Sequence, residues 1–327
     1  MPFRSLPCFS GMRYLKPETQ VQIITDISTP VSLLHPVVTI GTFDGVHLGH
    51  KAILSEVATH ARENGGNSVV VTFHPHPRIA LGQQVYLLST RSEKRDIFDQ
   101  SGIDCLVEIP FSPEFARLDP EKFIELLHNL IKPEMIIIGY DHGFGHNRKG
   151  TIEQLFRIGE PLGIRISIIN EMTSGNSKIS STIIRWLLQE GDVEKAAELL
   201  GYPYRISGQV VRGNQIGKLI GFPTANLHLD DPNKLIPSMG VYVSCVTVRG
   251  KKYSGMTNIG MRPTIDAHKL TIETNIFDFD EDIYYESISV CLLKRIRNEK
   301  KFATLDLLQK QLAEDKSRIL EILNEKQ

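Results

Sequence analysis

The segment Gly41-Thr42-Phe43-Asp44-Gly45-Val46-His47-Leu48-Gly49-His50 sets two imidazoles three residues apart where a helix is expected to open. On a helix that spacing brings both rings to one face. Backbone N–H groups at a helix start favour anions, and the helix dipole adds to the attraction. Gly41, Gly45 and Gly49 withdraw side chains where a polyphosphate would approach the main chain. Phosphate binding is therefore the chemistry this segment can do, with His47 and His50 donating to phosphate oxygens. A helix start carrying two surface histidines is the plainer alternative. The turn is not a P-loop, since no GxxxxGK[ST] string occurs, nor a GxGxxG dinucleotide turn.

A second segment of this kind lies in the other half. Gly213, Gly217 and Gly221 recur every four residues beside a strand-like run, within the stretch from Gly208 to Leu227. Such a loop can fold over a polyphosphate and offer its N–H groups. Thr224 and Asn226, two residues apart, point the same way if the chain is extended. A hydroxyl and an amide oxygen are hard ligands that suit Mg²⁺ bound mainly to ATP. By itself a Gly-rich hairpin is weak evidence.

These segments need elements to hold them. In the first half, short apolar runs at Val37–Ile40, Ser68–Phe73, Cys105–Ile109, Met135–Ile138 and Arg165–Ile169 alternate with helical patterns at His47–Asn64, Arg91–Gln100, Glu121–Leu130 and Thr151–Leu162. That alternation predicts a doubly wound parallel sheet with its ligand at the carboxyl ends of the strands. Ser181 to Leu200 reads as one or two helices, broken near Gly191-Asp192. After Gly201 short strand-like runs dominate: Arg205–Val211, Val241–Val248, Lys252–Asn258, Leu270–Phe277 and Ile288–Leu293. They predict a small antiparallel β-barrel, closed by an amphipathic terminal helix over Thr304–Glu325. The fold class is thus α/β followed by a barrel. The expected domains are residues 1–187 and 204–327, with 188–203 a helical connection.

Composition narrows the partners. The chain has 327 residues, 41% hydrophobic and 23% charged, with a formal net charge of −1. No overall field draws it to nucleic acid or to an anionic membrane, so neither is an expected partner and anionic substrates must be held by local groups. Cys8, Cys105, Cys245 and Cys291 form no CxxC pair, which argues against a disulfide framework or structural zinc. No apolar run approaches the roughly 18 residues that span a bilayer. Arg4, Arg13 and Lys16 precede the first acid, Glu18, without the apolar core of a secretory signal; Met12 serves equally well as a start. A cytoplasmic enzyme is the expectation, and assembly into a homo-oligomer stays open.

The His47-Leu48-Gly49-His50 string resembles the HxGH signature of the nucleotidyltransferases, and the flanking Thr-Phe-Asp-Gly narrows the resemblance to bacterial bifunctional riboflavin kinase/FAD synthetases. Thr72 to Arg78, Gly139 to Gly145 and Ile179 to Arg185 agree with that family in order. So does Gly221-Phe222-Pro223-Thr224-Ala225-Asn226, a riboflavin kinase signature, followed by Ile236-Pro237, Gly240-Val241-Tyr242, Asn258 to Thr264, and Glu273 ahead of Phe277-Asp278-Phe279. The resemblance spans roughly residues 36–315.

It implies phosphorylation of riboflavin to FMN by ATP, then adenylylation of FMN to FAD with release of pyrophosphate. Gly41, Phe43, Asp44, Gly45, His47, Gly49, His50, Asp141, Ser181, Thr182 and Arg185 would bind ATP and phosphate in the first half. Ser181 and Thr182 open a helix with Arg185 on the same side, fitted to the β- and γ-phosphates. Gly213, Gly217, Lys218, Gly221, Phe222, Pro223, Thr224, Asn226 and Arg297 would bind ATP and flavin in the second, with Thr224 and Asn226 as metal ligands. Glu273 would accept the proton of the ribityl 5′-OH. Relatives commonly carry Glu at His74, Phe at His142, His at Asn275 and Gly at Tyr285, which leaves pocket details open. A pantetheine- or nicotinamide-phosphate adenylyltransferase would not need the second half. A decayed flavin-responsive regulator would have lost Glu273, Thr224, Asn226 or the histidine pair, and all are present.

Overall fold

The computed structural model describes residues 20–140, 151–170, 173–174, 177–213, 215–263 and 268–325. The chain divides between Ser181 and Thr182 into two compact units. The interval 188–203 holds the end of one helix, all of the next and a turn.

The first unit carries β1 (Gln22–Ile24), β2 (Val37–Ile40), α1 (Leu48–Glu63), β3 (Ser68–His74), a short α2 (Pro77–Ala80), α3 (Arg91–Asp99), β4 (Cys105–Pro110), α4 (Pro120–Ile131), β5 (Met135–Gly139), α5 (Ile152–Gly159) and β6 (Arg165–Ile169). A two-stranded pair follows, β7 (Thr173–Ser174) and β8 (Ser177–Lys178). The main sheet has six strands in the order β1-β4-β3-β2-β5-β6. Every pairing in it is parallel.

A parallel sheet is covered on both faces, so its central strands are apolar throughout. Every residue of β2 is buried, as are the first five of β3 and of β4. Alternate residues feed two cores. Val38, Val69, Val71, Val107, Ile136 and Ile138 pack with Phe123, Ile124 and Leu127 of α4. Val37, Val70, Leu106 and Ile137 pack with Leu54 and Val57 of α1 and Phe98 of α3. From β2 the strand order runs outward through β3 to β4, then returns to β5 on the other side of β2. The crevice at the carboxyl ends of β2 and β5 is therefore the topological switch point, where doubly wound sheets bind ligands. The His47–His50 segment leaves β2 there.

The second unit holds α6 (Ser181–Glu190), which begins at the division, α7 (Val193–Leu200), β9 (Tyr204–Val211), a single-turn α8 (Ile216–Leu219), β10 (Ala225–Leu229), β11 (Gly240–Val248), β12 (Lys251–Pro263), β13 (His268–Ile276), β14 (Ser287–Arg297) and α9 (Leu305–Glu325). Its strands close into a barrel in the order β10-β13-β12-β11-β14-β9. All neighbours are antiparallel. Val241, Val243, Met256, Phe277 and Ile296 of the barrel enclose Ile319 of α9, with Leu312 and Leu323 packed alongside. The helix thus docks through one apolar stripe.

Three details differ from the sequence-based expectation. Residues 225–229 form a strand that the sequence pattern does not single out, because Asn226–Leu229 pair with β9 and complete the barrel. The Gly-rich loop contains a helical turn at Ile216–Leu219. β1 is added at the sheet edge beside β4, too short to show a period.

Candidate active sites

In the first unit the β2–α1 turn is strained and braced. Phe43 (φ 47°), Gly45 (φ 79°) and Val46 (φ 34°) all lie in the left-handed region. For a β-branched residue such as Val46 that conformation is costly, and such strain gathers at functional sites. Asp44 holds the turn: its carboxylate, 4% exposed, accepts from the Leu88 N–H at 2.9 Å and the Ser89 N–H at 3.2 Å. The Gly45 N–H donates to Ser89 Oγ at 3.0 Å, and the Gly41 N–H to the Val71 carbonyl at 3.0 Å. Phe43 is buried against Phe98.

Gly41, Phe43, Asp44 and Gly45, the residues expected to meet the phosphates, thus also brace the turn that carries the imidazole pair. Gly49 likewise makes room for protein, since a Cβ there would sit 3.3 Å from the His47 ring.

The turn delivers the imidazole pair. His47 is the N-cap of α1, and its Nδ1 accepts from the His50 N–H at 3.4 Å. An accepting Nδ1 puts the proton of the neutral ring on Nε2 and makes Nε2 a donor. The two rings stack at 3.7 Å with 15° between planes, and Phe43 meets His50 edge-on at 5.1 Å. Burial, first, and the neighbouring His47 and Lys94 hold the His50 pKa well below the ordinary histidine value. His50 is therefore neutral at physiological pH.

The Ser181 hydroxyl reaches this turn, donating to the Asp44 carbonyl at 3.0 Å. Thr182, exposed, and Arg185, half-buried, continue along α6. Asp141 and His142 lie outside the described residues. His74, at the carboxyl end of β3, is half-buried beside a cluster in which Arg91 and Arg95 both bind Glu108. Its pKa is lowered, by burial and then chiefly by the charge of Arg91.

Sequence reasoning passed over Lys94. Its ammonium donates to the Thr42 carbonyl at 3.1 Å and the Thr72 hydroxyl at 3.2 Å. Nothing in the run Ser92-Glu93-Lys94-Arg95 distinguishes it from a solvated helix face.

In the second unit a cavity of about 290 Å³ opens beside the barrel, its lining drawn from Gly217, Phe222 and Thr224 of the Gly-rich loop, Glu273 and Asn275 of β13, and Arg297 of β14. Register explains the convergence. Glu273 stands opposite Asn226 on one neighbouring strand and Asn258 on the other. Directly opposed residues share a face of the sheet, so the three form one row. Thr271 Oγ1 donates to Glu273 Oε1 at 3.3 Å. Asn226 Nδ2 lies 3.5 Å from the Thr224 carbonyl. The amide packs under Gly213, where a Cβ would come within 2.4 Å of it.

Asn275 ties the loop to the barrel, its Nδ2 donating to the Pro223 carbonyl at 2.6 Å. Tyr285 is 62% exposed and sits just before β14, its N–H donating to the Val210 carbonyl of β9, outside the cavity lining. Gly213, Lys218, Gly221, Pro223 and Asn226 also stand outside that lining; Lys218 is exposed on the single helical turn.

Arg297 is fixed by a residue the sequence did not reveal. Its Nε and Nη2 grip the carboxylate of Asp315 at 2.9 and 2.7 Å, and Gln311 Nε2 donates to the same carboxylate at 3.2 Å. Asp315 is one acid among many on a charged helix, so only the fold singles it out. Glu299 accepts from the Met261 N–H at 3.2 Å and, with Phe302, lines the cavity near Arg297. Among the described residues no cluster of three or more His, Cys, Asp or Glu could hold a metal ion.

Comparison with known proteins gives both units relatives. A family model described as FAD synthetase matches residues 31–183, and one described as riboflavin kinase matches residues 200–323. A bifunctional riboflavin kinase/FMN adenylyltransferase of Bacillus subtilis (strain 168) is 37% identical over 86% of this chain and 90% of its own length. That of Escherichia coli (strain K12) is 36% identical over 85% and 90%. A solved structure titled a macrolide-efflux protein from Streptococcus pneumoniae superposes with a TM-score of 0.82 and 34% identity, covering 91% of this chain and 98% of its own. Among the described residues of this chain, no helix is long and apolar enough to cross a membrane.

Proposed function

The chain belongs to the bifunctional riboflavin kinase/FMN adenylyltransferase family, and on that premise we propose that its second unit converts riboflavin and ATP to FMN and its first converts FMN and ATP to FAD and pyrophosphate. The observation that carries the reading is the row Asn226–Glu273–Asn258 beside a cavity walled by Thr224 and Arg297.

In the kinase unit Glu273 accepts the proton of the ribityl 5′-OH as that oxygen attacks the γ-phosphorus, and ADP leaves. The loop around Gly217 lies over the phosphates, and Phe222 and Arg297 help to shape the walls. The donor set fits a magnesium ion: the Thr224 hydroxyl and the Asn226 amide oxygen are neutral and hard, suited to a cation whose charge is met by phosphate. Mg²⁺, when bound with ATP, neutralises charge on the transferred phosphoryl.

In the adenylyltransferase unit a phosphate oxygen of FMN attacks the α-phosphorus of ATP. No covalent enzyme intermediate is needed, so positioning and preorganised donors carry the reaction. His47 and His50 meet the phosphate chain, His47 through Nε2–H. By the family resemblance Ser181, Thr182 and Arg185 would take the β- and γ-phosphates, and Asp141 would contact the nucleotide or flavin. The partners are small molecules, not nucleic acid or membrane, and the setting is the cytoplasm.

A crossover of variants tests this division. Glu273→Gln is expected to stop FMN formation while FAD still forms from supplied FMN. His47→Ala with His50→Ala is expected to do the reverse. Chromatography of the flavins reads both, and equal loss of both activities in either variant contradicts the assignment.

A further inference from the structure

We propose that Lys94 is a positioning residue of the adenylyl-transfer site, clamping the strained β2–α1 turn to β3 and holding a buried positive charge that acts on His50. The inference rests on reading the first unit as an FMN adenylyltransferase.

The geometry is a closed triangle. Lys94 Nζ donates to the Thr42 carbonyl and to the Thr72 hydroxyl, and that hydroxyl donates to the same Thr42 carbonyl at 3.3 Å. Thr42 is the residue before Phe43, where the left-handed turn begins. The clamp therefore fixes the carboxyl ends of β2 and β3 where they enter the switch-point crevice.

The charges make a structural role alone a poor account. Arg91 and Arg95, on the same helix, are each matched to the buried carboxylate of Glu108 by direct hydrogen bonds. Lys94 instead makes its hydrogen bonds to neutral oxygens. Burying an ammonium against neutral partners is costly, and an apolar side chain of similar size often serves stability as well or better. Burial lowers the Lys94 pKa; Asp44 and Glu108 oppose that, and Arg91 adds to it.

Asp44 is the chief charge favouring the ammonium, and His50, whose Nδ1 is enclosed without a hydrogen-bond partner, is a group on which the ammonium acts in turn. The groups acting on His50 are His47 of its own helix and Lys94 of α3. Asp44 of the turn lies beside Lys94, and Lys51, the next residue of α1, is itself lowered to about 8 by burial. Lys94 thus helps keep the His50 ring uncharged. Removing the ammonium raises the His50 pKa, so the acid limb of the pH profile must move to higher pH.

The test uses the full chain carrying Lys94→Met or Lys94→Arg, with kcat and KM for ATP measured from FMN to FAD across pH. FMN formation from riboflavin is the internal control. Lys94→Met is expected to lower kcat by about 10²-fold with little change in KM, to move the acid limb upward, and to leave FMN formation intact. Lys94→Arg is expected to retain the limb. A loss of rate with the limb unmoved reduces Lys94 to a brace, and an unchanged rate removes it from the site; either overturns the proposal. An NMR titration of the His50 ring, compared between the unaltered protein and Lys94→Met, reads the same charge apart from activity. A midpoint that rises in Lys94→Met is expected, and an unmoved midpoint overturns the proposal. If the unaltered protein makes no FAD from FMN, the functional reading is what fails, and the titration still decides the role of Lys94.

Discussion

Glu273 shows what a single residue type can and cannot announce. As a glutamate in a strand-like run it has no distinguishing mark, and its neighbours in sequence, Ile272 and Thr274, are buried. What marks it is register, which sets Asn226 and Asn258 on either side. In the proposed role of base Glu273 would supply about 10²–10⁴-fold, which is the loss in FMN formation expected for Glu273→Gln. The histidine pair was easier to read, since spacing alone puts both rings on one face. The roles of the residues before it were not. Asp44 and Gly45, expected as ligand groups, also carry the hydrogen bonds that hold a strained turn, to Leu88 and Ser89 more than forty residues away. Long-range bracing of that kind leaves no local pattern.

At the scale of elements, hydrophobic period and turn chemistry made most of the fold legible. β2 to β6 and α1, α3 and α4 stand close to where apolar runs and helical patterns place them. The short edge strand β1 and the five-residue β10 carry too few residues for a period, and β10 begins within a signature that reads equally well as loop. Helix α9 was legible as an amphipathic helix but not as part of a site. Its Asp315 grips Arg297 of β14, and its Leu308 and Leu312 line the kinase cavity. Removing one partner of a buried ion pair strands the other charge. Asp315→Asn should therefore let Arg297 drift and lower kinase kcat/KM by about 10²-fold, the effect expected of roughly 1 Å of misplacement. FAD formation from supplied FMN should be unchanged in the same preparation. Equal kinase kinetics in the variant and the unaltered protein would show that α9 does not position Arg297.

On the proposed reading, the whole molecule joins two unrelated ways of holding ATP in one chain. One is a helix start at the switch point of a parallel sheet. The other is a Gly-rich loop over an antiparallel barrel. With a formal net charge of −1, neither relies on a global field, and each gathers its donors locally. The central claim is that both chemistries run in this one polypeptide. The most direct measurement is a time course with purified protein, riboflavin, ATP and Mg²⁺, its flavins separated by chromatography. The account predicts that FMN appears first and FAD follows at its expense. Riboflavin left unchanged, or FMN that accumulates with no FAD even when FMN itself is supplied, would contradict it.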